Sequence, residues 1–435
     1  MAKKELDSIL RRGVSEIIIE DALMHLLRTG QQLRLKMGFD PSCPDIHLGH
    51  MVGIRKLRQF QELGHQVVLI VGDWTAQIGD PSGESQTRNM LSAEEVKANA
   101  KTYMNQFFKV VDQEKTELRW QSEWFGKFNL TDVVSLTSKF TVAQLLARED
   151  FSNRYAAGRP IAITELLYPL LQAYDSVFIE ADVEFGGIDQ KFNCLMGREL
   201  QQMMGQRPQQ VLLMPLLVGT DGNQKMSKSL GNYIAIEDPP NNMYGKIMSI
   251  PDNLMMDYFE LLTDAPANEL KGFRQQLSTN AVNPMMLKKR LAKDIVTQFH
   301  STEAAQEAEA EFERAFQKRQ TPQKIEETRI SFKNIWLSES PQAASQDRTG
   351  EEIDESIVLA DLNTKGLIIP IAYLLYDITH IVESRMEAKR LLAQRAIEVD
   401  GNTVVGKDVS IWDGSIIKVG KRRWAKIVNS DTATS

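Results

Sequence analysis

Two histidines three residues apart, in His47-Leu48-Gly49-His50, and two lysines three apart, in Lys225-Met226-Ser227-Lys228-Ser229, are the groups of this chain best suited to phosphate chemistry. Imidazole and ammonium groups donate hydrogen bonds to phosphate oxygens, and Gly49, which has no side chain, lets a nucleotide approach the backbone closely. The hydroxyls of Ser227 and Ser229 stand among the lysines, so this second group can wrap a triphosphate from the side opposite the histidines. Alone, the lysine and serine stretch is also what an ordinary surface turn contains; it gains meaning beside the histidines. A third group, Tyr168, Gln172 and Asp175, is spaced by four and three, which puts a phenol, an amide and a carboxylate on one helix face. Such a face can hold an ammonium and a hydroxyl in one pocket. Zinc is the alternative use of the histidine pair, but no third and fourth ligands stand at workable spacing, and no metal centre is expected.

The elements that must position these groups alternate in type. Leu33, Leu35 and Met37 alternate with polar neighbours and predict a strand over 33–39, broken by turn chemistry at Gly38, Pro41 and Pro44. From Ile46 the apolar residues recur at helical spacing, predicting a helix over 46–63 with Asp45 as its N-cap and Gly64 as its stop. His47 and His50 then share the first turn, where the dipole and free backbone N–H groups favour an anion. Residues 6–30 read as helical. Strands are expected at 66–73, near 118–120 and at 210–218, a helix over 92–108, mostly helix over 129–174, and a βα step over 177–202. This is an α/β pattern, a doubly wound, Rossmann-like parallel sheet, whose ligands bind beyond the C-terminal ends of the strands. The loop carrying Asp80, the turn Gly186-Gly187-Ile188-Asp189-Gln190 and the loop 219–232 all fall at such ends.

Composition shifts after Pro239-Pro240. The expected organisation is a catalytic domain over 1–240 with a helical insertion around 129–174, an α-helical domain over 241–318, a linker over 319–356, and a small C-terminal α+β domain over 357–430. Lys288, Lys289, Arg290 and Lys293 read as one basic helix face, and the Gln, Ser, Thr, Pro and Glu content of 319–356 as linker. In the last domain a basic helix with Arg385, Lys389 and Arg390 precedes a hairpin with an Asp-Gly turn, and Lys421, Arg422 and Arg423 follow.

At 435 residues the chain is long enough for two or three domains. No apolar run approaches the ~20 residues that span a bilayer. The mixed charges of the N-terminal stretch do not match a secretory signal, and the two cysteines make no disulfide framework, so a cytoplasmic location is expected. The net charge of −7 excludes an overall cationic coat but not a nucleic-acid partner, because binding follows local basic patches.

Taken jointly, His47-Leu48-Gly49-His50 and Lys225-Met226-Ser227-Lys228-Ser229 resemble the two signatures of class I aminoacyl-tRNA synthetases. The second matches residue for residue, and the first departs by Leu48 where isoleucine is usual. With Tyr168, Gln172 and Asp175 added, nearly the whole chain resembles the tyrosyl-tRNA synthetases of bacterial type. The resemblance implies ATP-dependent activation of L-tyrosine to an adenylate, transfer to the terminal adenosine of its tRNA, Mg²⁺ carried by the nucleotide, and a homodimer. It implies that His47, His50, Lys225 and Lys228 are the catalytic donors. Asp40, Ser42, Gly49 and Asp189 would line the ATP side together with them, Asp189 at the ribose. Asp80, Tyr168, Gln172 and Gln190 would meet the α-amino group of tyrosine and Asp175 its phenolic hydroxyl. Lys36 occupies the position where many members place a tyrosine, at the phenol end of the pocket. The C-terminal domain resembles a small RNA-binding module also found in a ribosomal protein and in pseudouridine synthases, which implies tRNA phosphate contacts from Arg385, Lys389, Arg390, Lys421, Arg422 and Arg423. A tryptophanyl-tRNA synthetase shares both nucleotide signatures, and a synthetase-derived RNA-binding protein without activation chemistry shares the architecture; Asp175 favours tyrosine over the first, and the intact lysines favour an enzyme over the second.

Overall fold

The computed structural model describes residues 3–42, 45–81, 91–314, 325–339, 358, 362, 365–420 and 423–433. The chain divides into two compact units, Met1–Glu309 and Ala310–Ser435.

The first unit is built on a six-stranded sheet of β1 (Glu16–Ile18), β2 (Arg34–Phe39), β3 (Gln66–Val71), β4 (Thr116–Trp120), β5 (Val183–Gly187) and β6 (Gln210–Met214), in the order β1-β6-β5-β2-β3-β4. All neighbours run parallel except β1, which pairs antiparallel with β6 at the edge. Val67 to Val71 of β3 are fully buried, as a strand covered on both faces requires. The 6–30 region is therefore not all helix: helices Lys3–Arg11 and Glu20–Arg28 flank the short β1. Three residues carry too little period-2 signal to announce a strand, and it is the open edge of β6 that recruits them.

The helices after Pro239 do not stand apart as the expected domain over 241–318. Through residue 309 they belong to the same unit as the sheet. Arg12 shows why, since its guanidinium donates to the carbonyls of Phe259, Glu260, Thr263 and Ala265 and so caps the end of helix Met255–Leu262. Arg55, from the sheet-covering helix Leu48–Glu62, pairs with Asp264. Nor do the 288–293 cations form one solvated face. Lys288 and Lys289 are buried, and the Lys288 ammonium donates to the carbonyl of Ile250 and pairs with Asp252.

In the second unit β7 (Glu326–Ile330), β9 (Ile397–Val399), β10 (Asn402–Thr403), β12 (Ile416–Val419) and β13 (Arg423–Asn429) form a sheet in the order β10-β9-β12-β13-β7, and β8 (Leu367–Pro370) pairs with β11 (Asp408–Ile411). The linker expectation over 319–356 is corrected where it is described: β7 lies parallel to β13, and helix Phe332–Glu339 puts Phe332 and Trp336 into the unit's core. Polar composition concealed these elements, because β7 reads Glu-Glu-Thr-Arg-Ile and gains its order from β13 rather than from its own pattern. Much of the remaining linker lies outside the described residues. Between β9 and β10, Asp400 and Gly401 both take positive φ, 51° and 80°, as the two-residue hairpin turn demands.

Candidate active site

Strand order reverses between β2 and β5, since β2 leads to β3 and β4 on one side and β5 to β6 on the other. Pairing between them covers Leu35 with Val183 and Lys36 with Glu184, after which their C-terminal ends part. A cleft of about 400 Å³ opens there, where a doubly wound sheet binds its ligands. Of the residues singled out in the sequence, Asp40, His47, Gly49, His50, Asp80, Tyr168, Gln172, Asp175, Asp189, Gln190 and Lys225 line it. Lys36, Ser42 and Lys228 are not among its lining residues.

The histidine turn differs from expectation in a way that changes its chemistry. Helix Leu48–Glu62 is capped by His47, not Asp45. Its first N–H groups are already engaged: Leu48 donates to the carbonyl of Ile234, Gly49 to His47 Nδ1 at 3.2 Å, and His50 to the carbonyl of His47. The backbone N–H of His47 in turn donates to His50 Nδ1 at 3.2 Å. Free backbone N–H groups are thus not what an anion would meet. Because each Nδ1 accepts, each neutral ring carries its proton on Nε2 and keeps a donor there. Burial, then His50 and the charge of Lys228, lower the His47 pKa to about 2. His50 opens more to the cleft; withdrawal from bulk water among the cleft walls, then Lys228, lower its pKa to about 4. Both rings are neutral donors at pH 7. Gly49 is required beside them, since a Cβ there would lie 2.9 Å from the His47 ring.

At the other end, side chains from six segments interlock. Tyr168 donates to Asp40 at 2.8 Å, and Thr75 donates to the other oxygen of Asp40 at 2.6 Å. Asp175 is buried and accepts from Gln121 at 2.8 Å and from the Trp124 indole at 3.2 Å. Burial pushes its pKa up to about 7, with Lys36 and the Gln121 hydrogen bond pulling the other way. Gln190 donates to Asp80 at 2.6 Å, and Asn193 donates to both Gln172 and Gln190 at 3.1 Å. Arg148, buried, donates to Asn193 and pairs with Asp150.

The loop after β6 folds around buried Asn232, which accepts from the Ser227 backbone and donates to Asp221 and to the carbonyl of Lys225. Lys225 reaches Asp189 at 3.2 Å across the cleft, while Lys228 pairs with Asp45 at 2.7 Å beside the histidine turn. Asp45 is therefore a partner for a lysine rather than a helix cap. Ser42 is exposed, and its backbone N–H donates to the carbonyl of Asp40. Lys36 is fully buried behind the cleft, paired with Glu184 at 2.9 Å, because its strand position points under the helix Ile163–Phe178. Among the described residues no group of three His, Cys, Asp or Glu converges as a metal site.

Sequence reasoning missed Gln121, Asn193, Glu184 and Asn232. Two carried a usable signal: Asn193 follows Gln190 at the helical spacing of three, and Glu184 is a charge inside an apolar strand. In the second unit Lys389 and Arg390 are exposed on helix Arg385–Ala393, and Arg385 is exposed but held by Asp377. Arg423 is turned to Glu387 and the carbonyl of Ile381, a fastening of β13 to that helix. Lys421 and Arg422 lie outside the described residues.

The family model of the class I tRNA synthetases (W and Y) matches residues 28–317. A tyrosine--tRNA ligase of Dehalococcoides mccartyi is 56% identical over 427 residues, covering 98% of this chain and 99% of that one. One of Thermotoga maritima is 44% identical over 434 residues, covering 99% of each. Among solved structures, the tyrosyl-tRNA synthetase of Archaeoglobus fulgidus complexed with L-tyrosine superposes with a TM-score of 0.58 at 24% identity, covering 70% of this chain and 99% of that one. That likeness speaks for the fold. The matched family model and the full-length relatives place the chain, with its two signatures meeting at the sheet's switch point, in the tyrosyl-tRNA synthetase family of class I.

Proposed function

We propose that this cleft activates L-tyrosine with ATP, releasing pyrophosphate, and then passes the tyrosyl group to the 3′ adenosine of tRNA(Tyr). One observation carries the assignment of residues: the neutral histidine pair, Lys225, and the Tyr168, Gln172 and Asp175 face open into a single cleft. The tyrosine carboxylate is ionised at neutral pH, so activation needs no general base. What the chain must supply is in-line placement and donors for the charge that spreads over the phosphates. His47 and His50 would supply Nε2–H groups and Lys225 a cation, with Asp189 at the ribose and Asp40 on the adenylate side. Lys228 would join by exchanging Asp45 for phosphate. Ser42 has no contact role in this reading. Asp80, Gln172, Gln190 and Tyr168 would hold the α-ammonium of tyrosine, and Asp175 its hydroxyl. Mg²⁺ would arrive on the nucleotide, neutralising phosphate charge, with no residue of the chain assigned to it. A cytoplasmic location accompanies this reading.

The deciding measurement is ATP–pyrophosphate exchange with each of the twenty amino acids. Tyrosine alone should support it; exchange with tryptophan instead, or with none, overturns the assignment.

For the tRNA, the exposed Lys389 and Arg390, with Arg385, offer phosphate contacts that weaken with salt. A homodimer is supported by the helical segment between Leu130 and Ile163. Leu136, Phe140 and Leu145 pack inward there, while Leu130, Val134, Val142, Tyr155 and Ile163 are 57–78% exposed. Val134→Glu combined with Val142→Glu should convert the dimer to a monomer in light scattering after size exclusion; an unchanged mass would move the interface elsewhere.

A further inference from the structure

We infer that the buried Lys36–Glu184 ion pair is the positioning unit of the tyrosine pocket, holding both of its ends, with Lys36 behind the cleft and Glu184 in its wall. The inference rests on the reading of Gln172 and Asp175 as tyrosine ligands. Lys36 on β2 and Glu184 on β5 are direct neighbours across the strand pair where the cleft begins, and each is essentially without solvent. An ion pair in such a place costs desolvation that apolar residues of similar volume would avoid, so its retention calls for a role beyond stability.

The contacts show what it holds. The Lys36 ammonium donates to the carbonyl of Gln172 at 2.8 Å and to Ser176 Oγ at 2.7 Å, and pairs with Glu184 at 2.9 Å. All three protons are used. It thereby clamps to the sheet the one helical turn that carries Gln172 and Asp175. Glu184 accepts in addition from Gln172 Nε2 at 3.1 Å, from Ser176 Oγ and from buried Gln209. With its Nε2 fixed, Gln172 presents its oxygen to Asn193, which also holds Gln190, which holds Asp80. The ammonium end of the pocket is thus tied to the pair by a chain of amides. Gly197 lets the facing helix approach, since a Cβ there would lie 2.9 Å from both Ser176 Oγ and Gln209 Nε2.

At the phenol end the pair acts through charge. Asp175 faces Lys36 from β2, Glu184 from β5, and the neutral donors Gln121 and Trp124 from the segment after β4. The neighbouring Cys194 thiol is pushed up by burial and stays protonated. Asp40, Asp80 and Arg148 are the charges of the more distant network. Lys36 favours the Asp175 carboxylate and Glu184 opposes it.

The test compares Glu184→Gln, Lys36→Met and the double variant in tyrosine-dependent exchange. Each single variant should raise KM for tyrosine about tenfold or more, while KM for ATP and kcat stay within about threefold of the parent. The ascending limb of kcat/KM for tyrosine against pH should move up in Lys36→Met and down in Glu184→Gln, which a merely structural contact would not do. The double variant should return the limb toward the parent while keeping the raised KM. Should Lys36→Met not fold, the isosteric Glu184→Gln and the uncharged double variant carry the same comparison. A parental KM and limb in Glu184→Gln, or limbs that shift the same way in both single variants, overturn the inference. An Asp175→Asn variant with unchanged tyrosine KM would instead remove the pocket reading on which it stands.

Discussion

Replacing Lys225 by alanine should lower tyrosine-dependent ATP–pyrophosphate exchange about a hundredfold, with tyrosine binding nearly unchanged; this corresponds to the ~3 kcal/mol that one transition-state donor supplies. The size of the effect follows from the electrostatics of the cleft. Burial lowers the pKa of His47, and the cleft walls and the nearby charge of Lys228 lower that of the more open His50, so the pair contributes dipoles rather than charge. Lys228 is drawn aside by Asp45, and Lys225 is the lysine that lines the cleft. Positive charge facing the phosphates therefore rests first on Lys225, poised against Asp189, which it would leave for the nucleotide. Exchange rate under saturating tyrosine and ATP is the measurement, with equilibrium tyrosine binding as the control. A rate within about threefold of the parent would remove Lys225 from the donor set. The neutrality of the two imidazoles also fixes a pH response. Because both imidazoles are already neutral, their titration should leave the rate flat as pH rises through the usual histidine range, and a fall attributable to them should come only toward pH 4.

Asp175→Asn should raise KM for tyrosine between tenfold and a hundredfold, since a hydrogen bond to a charged acceptor contributes about 1.5–3 kcal/mol. Its pH behaviour is the sharper mark. With its pKa pushed up to about 7 in the folded chain, Asp175 becomes the stronger, ionised acceptor for the phenol only as pH rises through 7, so tyrosine affinity in the parent should fall as pH drops below 7. In the asparagine variant that dependence should vanish. Stability runs in the opposite sense. The folded pKa is raised above the ordinary aspartate value of 3.8, so the folded state binds the extra proton. The stabilisation is complete below about pH 4 and is lost as pH rises through 7. Across that window the parent should lose stability relative to Asp175→Asn, with about 4 kcal/mol as the ceiling. Urea unfolding at either end of the window measures it; equal loss in both proteins would show that Asp175 is not the group responsible.

The strand over 33–39 and the helix after Asp45 were legible because their signals are local, alternation and a 3.6-residue period, although Gly38 continues the strand rather than breaking it. So was the shared face of Tyr168, Gln172 and Asp175, all of which line the cleft. β1 and β7 were not, because a three-residue edge strand and a polar strand take their order from the neighbour they pair with. Asp45 looked like a cap because aspartate often is one, yet the His47 ring reached the N–H first and left Asp45 to Lys228.

The sequence by itself determined the parallel α/β class, the existence of two phosphate-suited signatures and the polar helix face beside them, since each depends on residues a few positions apart. Only the tertiary structure decided the charge state of the histidines, which lysine faces the cleft, and the place of Lys36. Those depend on burial and on partners distant in the chain: Glu184 for Lys36, Asp189 for Lys225, and the carbonyl of Ile234 for the first N–H of the histidine helix. A side chain's type says what it can donate or accept; which of its possible partners is in reach, and how much water remains around the pair, is settled when the strands and helices close on one another.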